Sequence, residues 1–313
     1  MKFAFVFPGQ GSQSVGMLNG FAGNVAVEDV LSRASAALGQ DLRRMIFEGP
    51  SDELNLTVNT QPAMLTAAYA GFAAWRAAGG PMPDAVAGHS LGEYTALTAA
   101  GAIALEAAVP LVRFRALAMQ DAVAVGTGAM AAILGLGDDE VRAACLESAG
   151  SEIVEAVNFN APSQVVIAGH KAAVERACAA AKARGARRAV MLPVSAPFHS
   201  SLLKPAAERL RARLQDIALL TPSVPVINNI DVAIESEPAK IRDALARQAA
   251  GPVRWADTIR AMAARGITDI VECGPGRVLA GLTRRIVAGV ESHVIVDETS
   301  LQDVLAKLTR TGS

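Results

Sequence analysis

Gly88-His89-Ser90-Leu91-Gly92 constrains this chain more than any other stretch of it. The residues fit G-x-S-x-G, the pattern of a serine held on a sharp turn between a strand and a helix. Asp84-Ala85-Val86-Ala87 reads as a short buried strand leading in, and Glu93 to Ala100 as an alanine-rich helix leading out. Glycine, having no Cβ, tolerates such a turn and lets neighbouring chains approach. Ser90 Oγ would then stand over a helix N-terminus, whose free N–H groups favour developing negative charge. An ordinary glycine-rich strand-to-helix turn carries the same letters. The flanking strand and helix are what favour a nucleophile.

A chain of 313 residues can bury a large core, as one large domain or two unequal ones. It is 51% hydrophobic and only 4% aromatic, so that core is built mainly from alanine, valine and leucine. Strand-like and helix-like segments alternate, which points to the α/β class. A formal net charge of −1 argues against binding nucleic acid by phosphate neutralisation. Cys145, Cys178 and Cys273 are widely spaced, odd in number and outside any C-x-x-C, so neither a disulfide framework nor a zinc site is indicated. Lys2 is followed by only five apolar residues before Pro8-Gly9, too few for a signal-peptide core. The most apolar long window, Tyr94 to Val112, is interrupted by Glu106 and Pro110 and reads as two buried helices, not a membrane span. A soluble cytoplasmic protein is expected, acting as a monomer, with neither nucleic acid nor membrane as partner.

Phe3–Phe7 reads as a buried strand running into the loop Pro8-Gly9-Gln10-Gly11-Ser12-Gln13. Gln61-Pro62 is expected to open an apolar helix reaching about Ala78, with proline in the first turn, where its missing N–H matters least. A further helix is expected from about Leu105 to Val125. Then the pattern changes. Ala129–Leu134, Ile153–Asn158, Gln164–Gly169 and Arg188–Leu192 read as strands, with helices over Asp138–Ser148 and Ala172–Gly185. That order is β-α-β-β-α-β, the ferredoxin-like arrangement, with Asn160-Ala161-Pro162-Ser163 turning between its central strands. Residues 127–195 are therefore expected to form a subdomain inserted into an α/β body made of residues 1–126 and 196–313. Beyond it come a helix near Ser201–Ile217, a strand at Val224–Asn228, two helices up to Arg265, a strand at Thr268–Glu272, a helix at Val278–Ile286 and a strand at His293–Val296.

A serine hydroxyl is a weak nucleophile at neutral pH and needs a base within hydrogen-bonding reach. The chain offers His89, His170, His199 and His293. His89 adjoins the serine and should point away from it, and His170 opens a subdomain helix. His293 comes late in the chain, as the histidine of an α/β-hydrolase does. His199 follows Pro193–Phe198, where the chain leaves the small subdomain, a position suited to the mouth of a cleft. The residues alone leave His199 and His293 both open. Arg113 and Arg115 lie on separate faces of one helix. Arg115 has apolar neighbours, so it needs a partner: a protein carboxylate, or a substrate carboxylate gripped by two parallel hydrogen bonds. Gly126-Thr127-Gly128-Ala129-Met130-Ala131 fits G-x-G-x-x-A but lies between a helix and a strand, the reverse of a dinucleotide fold. No Gly-Lys pair and no H-E-x-x-H occurs, so neither a P-loop nor that metal motif is present and metal-free chemistry without a cofactor is expected.

Taken together, several stretches resemble the malonyl-CoA:acyl carrier protein transacylase family. They are Phe5–Gln13, Gly88-His89-Ser90-Leu91-Gly92-Glu93-Tyr94, Arg115, Pro193–His199, Gln248 and Glu272-Cys273-Gly274-Pro275-Gly276, collinear from Lys2 to about Val296. The resemblance implies an α/β-hydrolase-like body carrying a ferredoxin-like subdomain. It implies Ser90 as nucleophile, His199 as base and later acid, and Gln248 orienting His199 through its backbone carbonyl. Gln10 and Leu91 would supply the backbone N–H groups of the oxyanion hole, and Arg115 would hold the free carboxylate of malonyl. Phe198 is similar to the aromatic of malonyl-selecting relatives and would crowd a branched acyl group, although a plain core phenylalanine reads the same.

The implied reaction moves malonyl from coenzyme A, a substrate here, to the phosphopantetheine thiol of acyl carrier protein by a ping-pong malonyl-serine route in fatty acid biosynthesis. Carriers are acidic, and Arg187-Arg188 and Arg284-Arg285 are the candidate basic rim, or else ordinary solvated arginines. Three other readings stand beside it: a loader for a polyketide line or for malonate decarboxylase, a serine hydrolase or thioesterase releasing free malonate, and a carrier-binding module that is never acylated.

Overall fold

Phe3–Phe7 is apolar at every position and buried at every position, as expected of a central strand in a sheet covered on both faces. The computed structural model describes residues 2–309. In chain order its strands are β1 (Phe3–Phe7), β2 (Ala85–Gly88), β3 (Gly128–Leu134), β4 (Val154–Ala161), β5 (Gln164–His170), β6 (Arg188–Met191), β7 (Val226–Ile227), β8 (Asp269–Cys273) and β9 (Glu291–Ile295). Five of them make a parallel sheet in the order β7-β2-β1-β8-β9, and the others an antiparallel sheet in the order β4-β5-β3-β6.

Alternation along β1 sends its side chains to opposite layers. Phe3, Phe5 and Phe7 pack toward the helix Thr57–Ala77, with the Phe5 ring 5.2 Å from Trp75 and 5.8 Å from Phe72. Ala4 and Val6 join the opposite cluster of Trp255, Ile259 and Met262. The helix Thr57–Ala77 starts earlier than the sequence suggests, so Pro62 lies inside it and not in its first turn. Burial of Thr57, Asn59 and Thr60 overrides their modest helix propensity, and Thr60 Oγ1 donates to Leu54 O at 2.6 Å. The next long helix spans Leu105–Asp121 and stops short of Val125. No helix among the described residues is long and apolar enough to cross a membrane.

The antiparallel sheet has the β-α-β-β-α-β order, with helices Asp138–Ala149 and Lys171–Ala183 on one face. Ala129, Ala131 and Ile133 of β3 face those helices together with Val165 and Ile167 of β5. Met130 points the other way, beside Val166 and Ala168, where Leu192, Val194 and Phe198 meet it. That second face fronts the parallel sheet's functional end. A parallel bridge between Asn158 and Val253 joins the two regions, with Val253 N donating to Val157 O at 2.8 Å.

Candidate active site

Ligands of open parallel sheets collect at the carboxyl ends of the strands. Here β1 runs into the Gln10 loop, β2 into Ser90 and β7 into Asn229, and the three loops meet. The elbow glycines are sterically required: a Cβ on Gly88 would lie 1.8 Å from the backbone of Gly92, and one on Gly92 would lie 2.1 Å from Phe7 O. Ser90 has φ +52°, a left-handed conformation that a side-chain-bearing residue keeps only when its surroundings hold it. They do. Its N–H donates to Asn229 Oδ1 at 2.7 Å, and its C=O accepts from Gln248 Nε2 at 2.9 Å and from Glu93 N at 3.1 Å.

Ser90 Oγ lies 2.7 Å from His199 Nε2, and His199 Nδ1 lies 2.9 Å from the backbone carbonyl of Gln248. A carbonyl only accepts, so Nδ1 carries the proton and Nε2 turns its lone pair to the serine. Burial, reinforced by the positive charge of Arg115, pushes the imidazole down to about 3. The imidazole is therefore neutral.

Arg115 is 2% exposed, and its hydrogen-bond acceptors are uncharged. Nη1 donates to Gln61 Oε1 at 2.9 Å, while Nη2 donates to Gln248 Oε1 at 3.0 Å and to Ser90 Oγ at 3.1 Å. Its Nε is buried with no acceptor among the described residues. The guanidinium stands 5.5 Å from the Tyr94 ring centre. Of the two partners the sequence allows, a protein carboxylate bonded to this arginine is not what the structure contains. Glu93 is near but bonded elsewhere, to Asn229 N and Gln248 Nε2, both at 2.9 Å. Burial pushes its carboxyl up to about 7 against the opposing pull of those donors and of Arg115.

Ser90, His199, Arg115, Gln10, Leu91 and Phe198 line one cavity of about 640 Å³. The backbone N–H groups of Gln10 and Leu91 have no acceptor among the described residues, and the Gln10 carboxamide turns aside to Thr57 Oγ1 at 3.1 Å. The cavity is also lined by the apolar Met130, Val166, Leu192 and Val194 and by the amides Asn158, Asn160 and Gln164. Among the described residues no group of three or more His, Cys, Asp or Glu side chains is placed to share a metal ion.

None of the other histidines bonds Ser90, although His89 also lines the cavity. His89 packs on Trp255 and bonds Asn160 Oδ1 at 2.8 Å, His170 accepts from Ile153 N at 3.0 Å, and His293 pairs with Asp269 on the neighbouring strand at 2.8 Å. Arg113 turns from the site to Asn59 and Gln40. The four rim arginines part company. Arg285 bonds Gln164, a wall of the cavity, whereas Arg284 bonds Ser292 O at 3.2 Å. Arg188 pairs with Leu134 at the far end of β6, roughly 13 Å along the strand from Leu192, with Arg187 beyond it. The sequence pattern assigns no site role to Gln61, Glu93 or Asn229. Glu93 carries the one available signal, an acidic residue opening an alanine-rich helix that the structure buries at every position from Gly92 to Ala99.

A family model described as acyl transferase domain matches residues 4–311. Malonyl CoA-acyl carrier protein transacylase of Escherichia coli strain K12 is 52% identical over 305 residues, covering 97% of this chain and 99% of that protein. The chain belongs to the malonyl CoA-acyl carrier protein transacylase family. Among solved members, the acyl-carrier-protein S-malonyltransferase of Burkholderia pseudomallei 1710b superposes with a TM-score of 0.96 at 63% identity, over 97% of this chain and 99% of that one. A type II PKS acyl-carrier protein in complex with its malonyl-transacylase gives a TM-score of 0.97 at 48% identity, over 98% of this chain and 100% of that one. Nearly the whole length of this family member is thus shared with relatives of the same architecture.

Proposed function

We propose that the protein transfers a malonyl group from malonyl-CoA to the phosphopantetheine thiol of an acyl carrier protein, through a malonyl ester on Ser90, and so supplies fatty acid biosynthesis in the cytoplasm. The observation that carries this reading is the sharing of one hydroxyl. Ser90 Oγ is bonded at once to a neutral histidine and to a buried arginine whose other acceptors are amides. A base beside the nucleophile provides acyl transfer, and a cation beside it selects an acyl group ending in a carboxylate.

In the first half-reaction Ser90 Oγ gives its proton to His199 Nε2 and attacks the thioester carbon. The oxyanion develops toward the N–H groups of Gln10 and Leu91, an interaction worth ~2.7–4 kcal/mol per donor. The carbon–sulfur bond breaks, and His199, now a strong acid, returns the proton to the departing CoA thiolate. In the second half-reaction the carrier's thiol loses its proton to His199, its sulfur attacks the ester carbon, and Ser90 Oγ leaves with the proton restored. Gln248 holds the imidazole through its carbonyl, and Arg115 holds the malonyl carboxylate. Phe198 limits branching at the α-carbon.

The antiparallel-sheet region, residues 127–195, is read as the subdomain that closes the cleft over the body formed by the remaining residues. Of the arginines considered for carrier docking, Arg285 is favoured by its bond to cavity-lining Gln164. The same geometry serves a polyketide carrier, and the solved complex of such a carrier with a relative makes that the second reading. Mixing enzyme, malonyl-CoA and holo-carrier tests the proposal. The carrier's mass should rise by one malonyl group with matching CoA release, and free malonate formed at the same rate with or without carrier would instead mark a hydrolase.

A further inference from the structure

We propose that Glu93 is a positioning residue, whose Oε2 is the common anchor of the two residues, Asn229 and Gln248, whose side chains clamp Ser90 at its N–H and C=O. The inference rests on the reading of Ser90 as the acylated nucleophile.

Oε2 accepts from Asn229 N and from Gln248 Nε2, both at 2.9 Å. Asn229 in turn takes the Ser90 N–H on its Oδ1 at 2.7 Å and gives its Nδ2 to Gly88 O at 2.8 Å. Gln248 Nε2 donates to Ser90 O at 2.9 Å, its Oε1 accepts from Arg115, and its backbone carbonyl accepts from His199. The Glu93 carboxylate is thus bonded to none of Ser90, His199 and Arg115, yet one residue away from all of them.

A carboxylate buried to 2% exposure is expensive, and an apolar residue would pack there at lower cost. What an apolar residue cannot do is accept two converging N–H groups with one oxygen. Without that oxygen, Asn229 N and Gln248 Nε2 lose their common acceptor. Ser90, held at φ +52°, then loses the fixed partner of its N–H and keeps only the Glu93 N–H on its C=O. The serine relaxes away from His199 Nε2, and displacements of about 1 Å in such a site lower rates by about 100-fold.

The test measures single-turnover malonylation of Ser90, KM for malonyl-CoA and thermal stability in the full chain. The variants are Glu93→Met, which fills the volume, Glu93→Gln, which keeps one oxygen for both donors, Asn229→Ala, and the Glu93→Met/Asn229→Ala double variant. Glu93→Asp, whose carboxylate cannot reach both donors, replaces Glu93→Met if that variant does not fold. Malonylation by Glu93→Met should slow by about 100-fold with KM changed less than threefold. Glu93→Gln should recover to within about fivefold of wild type, and the double variant should be no slower than the worse single one. Wild-type rates in Glu93→Met, a Glu93→Gln variant as slow as Glu93→Met, or multiplying losses in the double variant would overturn the inference. Label persisting in Ser90→Ala would overturn the nucleophile assignment instead, so the two failures are distinguishable.

Discussion

Ser90 Oγ and Arg115 Nη2 lie 3.1 Å apart, so a serine hydroxyl and a buried cation share one point in the cavity. A malonyl ester on that oxygen ends in a carboxylate roughly 4 Å away by standard bond lengths. One guanidinium can therefore serve the free serine hydroxyl and the far end of an acyl group in turn. An acetyl ester would leave it without an ionic partner.

Replacing Arg115 by alanine should lower kcat/KM for malonyl transfer by about 1000-fold and for acetyl transfer by less than about 10-fold. Equal losses on both donors would remove its role as carboxylate holder. The pH profile should move as well. His199 lies at about 3 because burial and then Arg115 disfavour its charge, so the acid limb of malonylation in wild type falls well below pH 6.5. Loss of the cation raises the imidazole toward its ordinary value, and the limb should shift upward in the variant.

His199→Ala should slow serine malonylation by about 1000-fold, the scale of a general base. His293→Ala should leave transfer within about twofold of wild type, because its ring is engaged by Asp269 on the adjacent strand. Reversal of that ranking, read from initial rates of CoA release, would return the base to the position late in the chain.

The Glu93 carboxyl, raised from 4.5 to about 7 by burial, binds its proton more tightly in the folded than in the unfolded chain. Folding stability from this group is therefore full below about pH 4.5, declines as pH rises to about 7 and is level above, a loss on the order of 3 kcal/mol. Glu93→Gln does not titrate. Its Tm relative to wild type should be higher at pH 8 than at pH 5, and an equal difference at both would show that the carboxyl is not raised. The His199 contribution is the same in both proteins and drops out of the comparison.

The elements that carry the site were legible where the pattern is local. Phe3–Phe7 reads as a doubly covered strand from its letters, and the β-α-β-β-α-β order follows from alternating periods within one stretch. Helices Val25–Leu38, Leu42–Glu48 and Glu298–Thr309 are not among the elements expected from the sequence, and β7 is two residues long against the expected Val224–Asn228. The motif letters mark Ser90, the family resemblance marks His199 and Gln248, and neither marks the clamp. Asn229 reaches Ser90 across 139 residues because β7 pairs with β2, and the Arg115 partners Gln61 and Gln248 lie 54 and 133 residues away. No sequence window contains both halves of such a contact. The neutral environment of Arg115 is a tertiary product.

The central claim is that Ser90 carries the malonyl group, and intact-mass measurement after mixing with malonyl-CoA tests it most directly. Wild type should gain one malonyl adduct, which hydroxylamine removes, and Ser90→Ala should gain none. A wild-type chain of unchanged mass, or an adduct that survives in Ser90→Ala, would contradict the account.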